Sequence, residues 1–246
     1  MTAAALAVFT LLAQDFAGPS ARAADTRSPV VVELFTSQGC SSCPPAEAFL
    51  GELAQREDVI ALAFHVDYWD YIGWKDRFAS PAWTKRQRDY AEALALRTLY
   101  TPQMVIDGRA DAVGSDRSSV HLLIERSAAL PKPALTVESA AGKHVLNLPE
   151  TRLDAPATVW LAIYDREQRT SVGRGENAGR ALIEHNIVRK LQKVASWEGA
   201  AATLDLDLAD ALGEGAGGAI LVQSDGAGPI LAALAIPDSE LHGQTQ

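Results

Sequence analysis

A chain of 246 residues that is 48% hydrophobic is long enough for one large domain or two modest ones, and too apolar to be disordered throughout. Its formal net charge of -9 argues against the clustered Lys and Arg face that nucleic acid requires and disfavours attachment to anionic lipid. It holds two cysteines, so at most one cross-link forms within the chain.

The opening residues, "MTAAALAVFTLLAQDFAGPSARAAD", join an apolar run from Ala3 to Ala13 to the A-x-A pattern Ala21-Arg22-Ala23. That pattern predicts a secretory signal peptide over residues 1–24, cleaved after Ala23 or Ala24. No Lys or Arg precedes the run, so the terminal amine alone would supply its positive end. The run is too short for a bilayer, which takes about 20 apolar residues, and no later stretch reaches that length, so no span is expected in the mature chain. Export to the periplasm or beyond the cell would place the cysteines where disulfides persist.

"PVVVELF", residues 29–35, is a nearly continuous apolar run that predicts a strand buried on both faces. Residues 46–56 then space Ala46, Phe49, Leu50 and Leu53 as one helical face, and "VIALAFHV", residues 59–66, predicts a second buried strand. Strand, helix and strand make a βαβ unit that closes into a parallel pair. The aromatic stretch "DYWDYIGWKDRF", residues 67–78, has no clean period and reads as a loop or short helical insertion. Ser80 and Pro81 then supply an N-cap and a first helical residue, with Trp83, Tyr90, Ala91 and Leu94 on the packing face. "YTPQMVIDGRADAVGS" predicts two strands about an Asp107-Gly108 turn, and residues 116–130 an amphipathic helix. The order β-α-β-α-β-β-α over residues 29–130 is that of a thioredoxin-like α/β domain. Pro131 and Pro133 mark the expected boundary of a second domain, 131–246. There, strand-like runs near 134–140, 143–148, 157–164, 202–208, 218–224 and 229–236 predict a mainly β, sandwich-like fold, and residues 181–197, which read equally as helix or long strand, are taken as strand from that setting.

Both cysteines lie in "GCSSCPP", Cys40 and Cys43, where the first strand passes into the helix. A C-x-x-C at a strand-to-helix junction is the setting of a thioredoxin-type redox site. Cys40 at a helix N-terminus would be favoured as a thiolate, and Cys43 one turn on would act as the resolving thiol. Pro44 and Pro45 work against this by delaying the helix to Cys43 or beyond, which moves its dipole away from Cys40. Glu33, on the incoming strand, is a candidate proton acceptor for Cys43. Pro102 is a candidate cis-proline facing the cysteines, and Thr101 before it would offer its backbone to an incoming peptide strand. His65 and Asp67 end the second strand and could also face the cysteines.

Taken together, "VELFTSQGCSSCPPAE", "FHVDYWDYIGWKDRF", "YTPQMVIDG" and "GRGENAGR" resemble an uncharacterised secreted bacterial family, a domain of unknown function in the thioredoxin-like superfamily. The resemblance implies a thioredoxin-like domain carrying Cys40 and Cys43 and a β-rich domain after it, and it implies no substrate. It also singles out the aromatic segment and residues 175–180; composition alone reads the first as a packed lid and the second as a polar loop, whereas Trp69, Trp74, Glu176, Asn177 and Arg180 could instead line a groove between the two domains for a peptide or small ligand.

Three function classes follow. The first is a thiol-disulfide oxidoreductase acting on another exported protein through Cys40 and Cys43, with no cofactor. The second is a binding or scaffold protein in which the pair is a fixed disulfide. The third is a Cu(I) carrier using both thiolates and His65, because soft sulfur ligands select that ion. Neither G-x-S-x-G nor H-E-x-x-H occurs, so hydrolase chemistry has no foothold.

Overall fold

A computed structural model describes residues 28–140, 143–209 and 215–237; the expected signal peptide, residues 1–24, lies outside the described residues. The first half follows the order read from the sequence. Strand β1 (Val30–Thr36) leads to helix α1 (Pro44–Leu53), strand β2 (Val59–His65), a 3-10 turn at Asp70–Ile72 and helix α2 (Pro81–Ala93). Strands β3 (Gln103–Ile106) and β4 (Ala110–Val113) and helix α3 (Arg117–Ala128) complete it. β1 pairs in parallel with β2 and antiparallel with β3.

Local chemistry accounts for the element ends. The Ser80 side chain accepts from the Ala82 N–H, and Pro81 follows at the first turn, where its missing N–H costs nothing. Asp116 caps α3 by accepting from the Ser119 N–H. Asp107 and Gly108 turn the β3–β4 hairpin with φ of 47° and 62°, the left-handed pair that matches hairpin twist. Helix α1 starts at Pro44, two residues before its expected first residue. Pro44 and Pro45 occupy its first turn and Cys43 is the N-cap, so the expected N-terminal placement of Cys40 is corrected and Cys40 lies in the turn before.

Seven strands follow: β5 (Thr136–Ala140), β6 (Lys143–Leu148), β7 (Ala157–Ser171), β8 (Ala181–Trp197), β9 (Ala202–Leu206), β10 (Ala216–Ser224) and β11 (Ile230–Ile236). They do not form the separate sandwich expected for residues 131–246. Among the described residues one sheet runs β11-β10-β7-β8-β2-β1-β3-β4, and only β5-β6-β9 forms a second. The edge of β2 left free by β1 takes up β8 in parallel, with Ala63 opposite Ile187. The second half is still two-layered, since Leu146, Leu148 and Leu206 of the small sheet pack on Leu161, Ile220 and Val222 of the large one. One of its layers, however, continues the thioredoxin-like sheet.

Strand alternation divides the rest of the core. Val30, Val32 and Leu34 of β1 meet Phe49 and Leu50 of α1 and Ile124 of α3. Val31 and Phe35 face the other way, onto Trp83 and Tyr90 of α2, together with Val188 of β8 and Leu221 of β10. Each large apolar side chain buried in this way contributes about 1.5–3 kcal/mol. The sheet curls around α2 until β11 returns to the hairpin, where the Ile230 N–H donates to the Asp107 carbonyl at 2.8 Å. No helix among the described residues is long and apolar enough to cross a membrane.

Candidate functional site

Cys40 and Cys43 are joined by a disulfide, and each residue is 1% exposed. The turn between them is closed by the Cys43 N–H donating to the Cys40 carbonyl at 3.2 Å. The Thr101–Pro102 peptide is cis, as expected of it. Thr101 lies beside the disulfide: the Ser42 hydroxyl is 3.4 Å from both Cys40 Sγ and the Thr101 carbonyl oxygen. The Trp69 indole N–H donates to Thr101 Oγ1 at 2.8 Å, which ties the aromatic segment to the same spot.

Glu33 is fully buried but turned away from Cys43. Alternation along β1 sets it with Val31 and Phe35, toward α2, whereas α1 packs on Val32 and Leu34. Arg86 Nη2 lies 2.7 Å from Glu33 Oε1, the Tyr90 hydroxyl donates to Oε2, and Gln223 Nε2 donates to Tyr90 Oη at 2.9 Å. This carboxylate therefore anchors α2 and β10 to β1, correcting its expected place beside Cys43.

The carboxylate that does share a face with Cys43 is Glu47, one turn along α1, whose N–H donates to the Cys43 carbonyl at 3.1 Å. Both residues line a cleft of about 340 Å³ with Ser37, Gln38, Pro44, Ala48 and residues 181–185. The two Glu47 carboxylate oxygens and His65 Nε2 are buried without a hydrogen-bond partner. His65 Nε2 stands 3.8 Å from Glu47 Oε1, while His65 Nδ1 lies 2.7 Å from Asp76 Oδ2. Asp76 also accepts from the Gln38 N–H at 2.8 Å and the Phe78 N–H at 2.9 Å. Gln38 Nε2 in turn donates to Glu184 Oε1 at 2.9 Å, and Thr170 Oγ1 donates to Glu184 Oε2 at 3.0 Å. Asp67 stands apart, accepting from the Thr84 hydroxyl of α2 at 2.5 Å.

Charge balance in this cluster is uneven. Burial raises Glu47 to about 7, against the pull of the His65 charge. Burial alone would lower His65, but the Asp76 carboxylate, by charge and hydrogen bond, with Glu47 and Glu184 behind it, raises it to about 9. Burial also opposes ionisation of Asp76, yet His65 and the backbone donors hold it below the usual carboxylate range. Glu184 is raised by burial. Near neutral pH the cluster therefore holds an imidazolium–carboxylate pair next to a carboxyl group poised to gain or lose a proton.

The hairpin made by β7 and β8 brings residues 172–180 over the cysteine loop. Asn177 is 1% exposed, and its Nδ2 donates to the carbonyls of Gln38 and Cys40, each at 2.9 Å. Its Oδ1 accepts from Arg180 at 3.1 Å. Trp74 Nε1 donates to Gln38 Oε1 at 2.9 Å. Asn177 and Trp74 thus brace the loop, and the amide hydrogens of Asn177 are not free for a ligand as expected. Glu176 is exposed at the hairpin tip. Among the described residues no group of three His, Cys, Asp or Glu side chains is arranged to hold a metal ion.

Of these groups, Glu47 was open to sequence reasoning, because it stands four positions after Cys43 and that spacing puts both on one helix face. Asp76 and Glu184 sit in an aperiodic loop and on a strand that looks equally helical, so nothing local marks them.

The crystal structure of protein AGR_C_4864 from Agrobacterium tumefaciens is similar to this chain, with a TM-score of 0.74 and 30% identity over 85% of this chain and 94% of that one. HBP35 of Porphyromonas gingivalis matches with a TM-score of 0.54 and 12% identity over 85% of this chain and 75% of that one, a likeness of fold alone. No curated protein matches the chain. The family model described as "Protein of unknown function (DUF1223)" matches residues 31–223, a span that holds the cysteines, Pro102 and the bracing hairpin, and the chain belongs to that family.

Proposed function

We propose that the chain is a periplasmic or secreted thiol-disulfide oxidoreductase that acts on another exported protein through Cys40 and Cys43. The observation that carries this reading is the disulfide at the head of α1 with the Thr101 backbone beside it. A partner strand meeting Thr101 would lie next to Cys40 Sγ, because the Ser42 hydroxyl touches both. In the reduced protein, the Cys40 thiolate attacks a sulfur of the partner disulfide and one partner thiolate leaves. Cys43 then attacks Cys40 Sγ, the mixed disulfide breaks, and the second partner thiolate departs. The partner gains two electrons and the Cys40–Cys43 bond re-forms. The reverse sequence oxidises a partner dithiol.

A second reading has its own support. Both cysteines are buried and their loop is braced by Asn177, Trp74 and Asp76, as a fixed structural clasp would be. The equilibrium reduction potential of the mature protein separates the two. A reversible value between about -120 and -270 mV, with insulin reduction lost in Cys40→Ser, supports exchange; a value below about -300 mV marks the clasp and refutes it.

A further inference from the structure

We propose that Glu47 is the group that takes the proton from the Cys43 thiol when Cys43 resolves a mixed disulfide and returns it in the reverse direction. His65 and Asp76 are the residues that position and tune it. The inference rests on the exchange reading above and assigns its proton chemistry.

Three geometric facts point to it. Cys43, the N-cap of α1, and Glu47, one turn along it, line one cleft, which puts the carboxyl group on the side of α1 that Cys43 faces. By distance and angle neither Glu47 oxygen makes a hydrogen bond although both are buried, and the Thr36 hydroxyl and His65 that face it offset burial only in part, so the carboxylate readily takes up a proton. Its neighbours are few. His65 of β2 faces it at 3.8 Å, with Asp76 behind from the loop before α2. Glu184 and His185 face it from β8, and the Thr36 hydroxyl from β1. His65 is tied to Asp76 through Nδ1, which leaves Glu47 as the base open toward Cys43.

In the mixed disulfide, Cys43 carries its proton on Sγ and Glu47 is ionised. The proton passes to a Glu47 oxygen as the Cys43 thiolate attacks Cys40 Sγ, the bond from Cys40 to the partner sulfur breaks, and the partner leaves as a thiolate. Glu47 then releases the proton to solvent through the cleft. Burial sets Glu47 near 7, which suits a group that must accept and release a proton at neutral pH.

The test follows the reduced protein reacting with oxidised glutathione, separating formation of the Cys40 mixed disulfide from its resolution by Cys43. Wild type is expected to resolve it with a rate that rises through a break near pH 7. Glu47→Gln is expected to lose the break and resolve about 100-fold more slowly at pH 7, with the first step changed less than threefold. In His65→Gln the break should move to higher pH, since the imidazolium that lowers Glu47 is gone; this variant also reads the proposal if Glu47→Gln does not fold. Unchanged resolution and an unchanged break in Glu47→Gln overturn the assignment while leaving exchange intact. Failure of wild type to form any mixed disulfide overturns the exchange reading and this one with it.

Discussion

Replacing Glu33 by Gln removes the negative half of an ion pair whose side chains are 1% exposed for Glu33 and 10% for Arg86. Arg86 keeps its charge and its buried place, and its remaining partners, Tyr90 Oη at 3.0 Å and Gln223 Oε1 at 3.2 Å, are neutral. Breaking a buried pair from one side costs about 3–5 kcal/mol, which for a chain of this size lowers the melting temperature by about 6–20 °C. Arg86→Met should cost about as much, because it strands the carboxylate instead. The double variant Glu33→Gln with Arg86→Met strands neither charge; the Tyr90 hydroxyl can still donate to the new amide, and Gln223 Oε1 loses its Arg86 donor, at about 1–3 kcal/mol. The two changes should therefore couple by at least about 3 kcal/mol in a double-mutant cycle. Urea unfolding followed by circular dichroism measures all four proteins, and thiol exchange by folded Glu33→Gln should stay within threefold of wild type. A single-variant loss below about 1 kcal/mol would refute the buried pair. A large loss of exchange in a folded Glu33→Gln protein would return Glu33 to the chemistry of Cys43.

Stability should also fall as pH rises. His65, raised from 6.5 to about 9, contributes stability that is complete below 6.5 and lost as pH climbs through 9, about 3 kcal/mol in all. Glu47, raised from 4.5 to about 7, acts in the same direction over its lower window, whereas Asp76, held below 3.8, destabilises only as pH drops through its own range. Urea midpoints that stay level from pH 6 to 9, or that fall equally in His65→Gln, would contradict this. Asn177→Ala removes both donors to the cysteine loop and should cost about 1–2 kcal/mol. Reduction of the disulfide by dithiothreitol, read by alkylation and mass, should become about tenfold faster, and an unchanged rate would mean that the hairpin does not restrain the loop.

Much of the first half is legible because its signals are local. Ser80-Pro81, Asp107-Gly108 and the apolar run of β1 each act within a few residues, and each element formed where those residues stand. The strands of the second half were legible too, β8 only through its setting among other strands, yet not their partners. Alternation along a strand reports which face is buried but not which edge it joins, and the acceptance of β8 by β2 depends on residues more than a hundred positions apart. The misplacement of Glu33 has a related cause. β1 is buried at every position from Val30 to Thr36, so its two faces look alike in sequence and nothing marks which one α1 covers. Helix α1, exposed on one side, does not hide its faces in this way, which is why Glu47 can be read from its distance to Cys43.

The long β7–β8 hairpin also works as a ruler. Its base lies in the two-layered β core, while its far end delivers Glu184 and Asn177 to the cysteine loop. Pairing slips between Val159 and Trp160 and again between Ile163 and Tyr164, each adding one residue on the β8 side. A single such slip exchanges inner and outer faces beyond it, and two restore the phase. Length in this hairpin is thus counted in pairs. Loss of one residue between the second slip and Glu184 would swing that carboxylate outward and turn Ile183 or His185 in, so an insertion or deletion here alters the site in proportion to its parity, not its size.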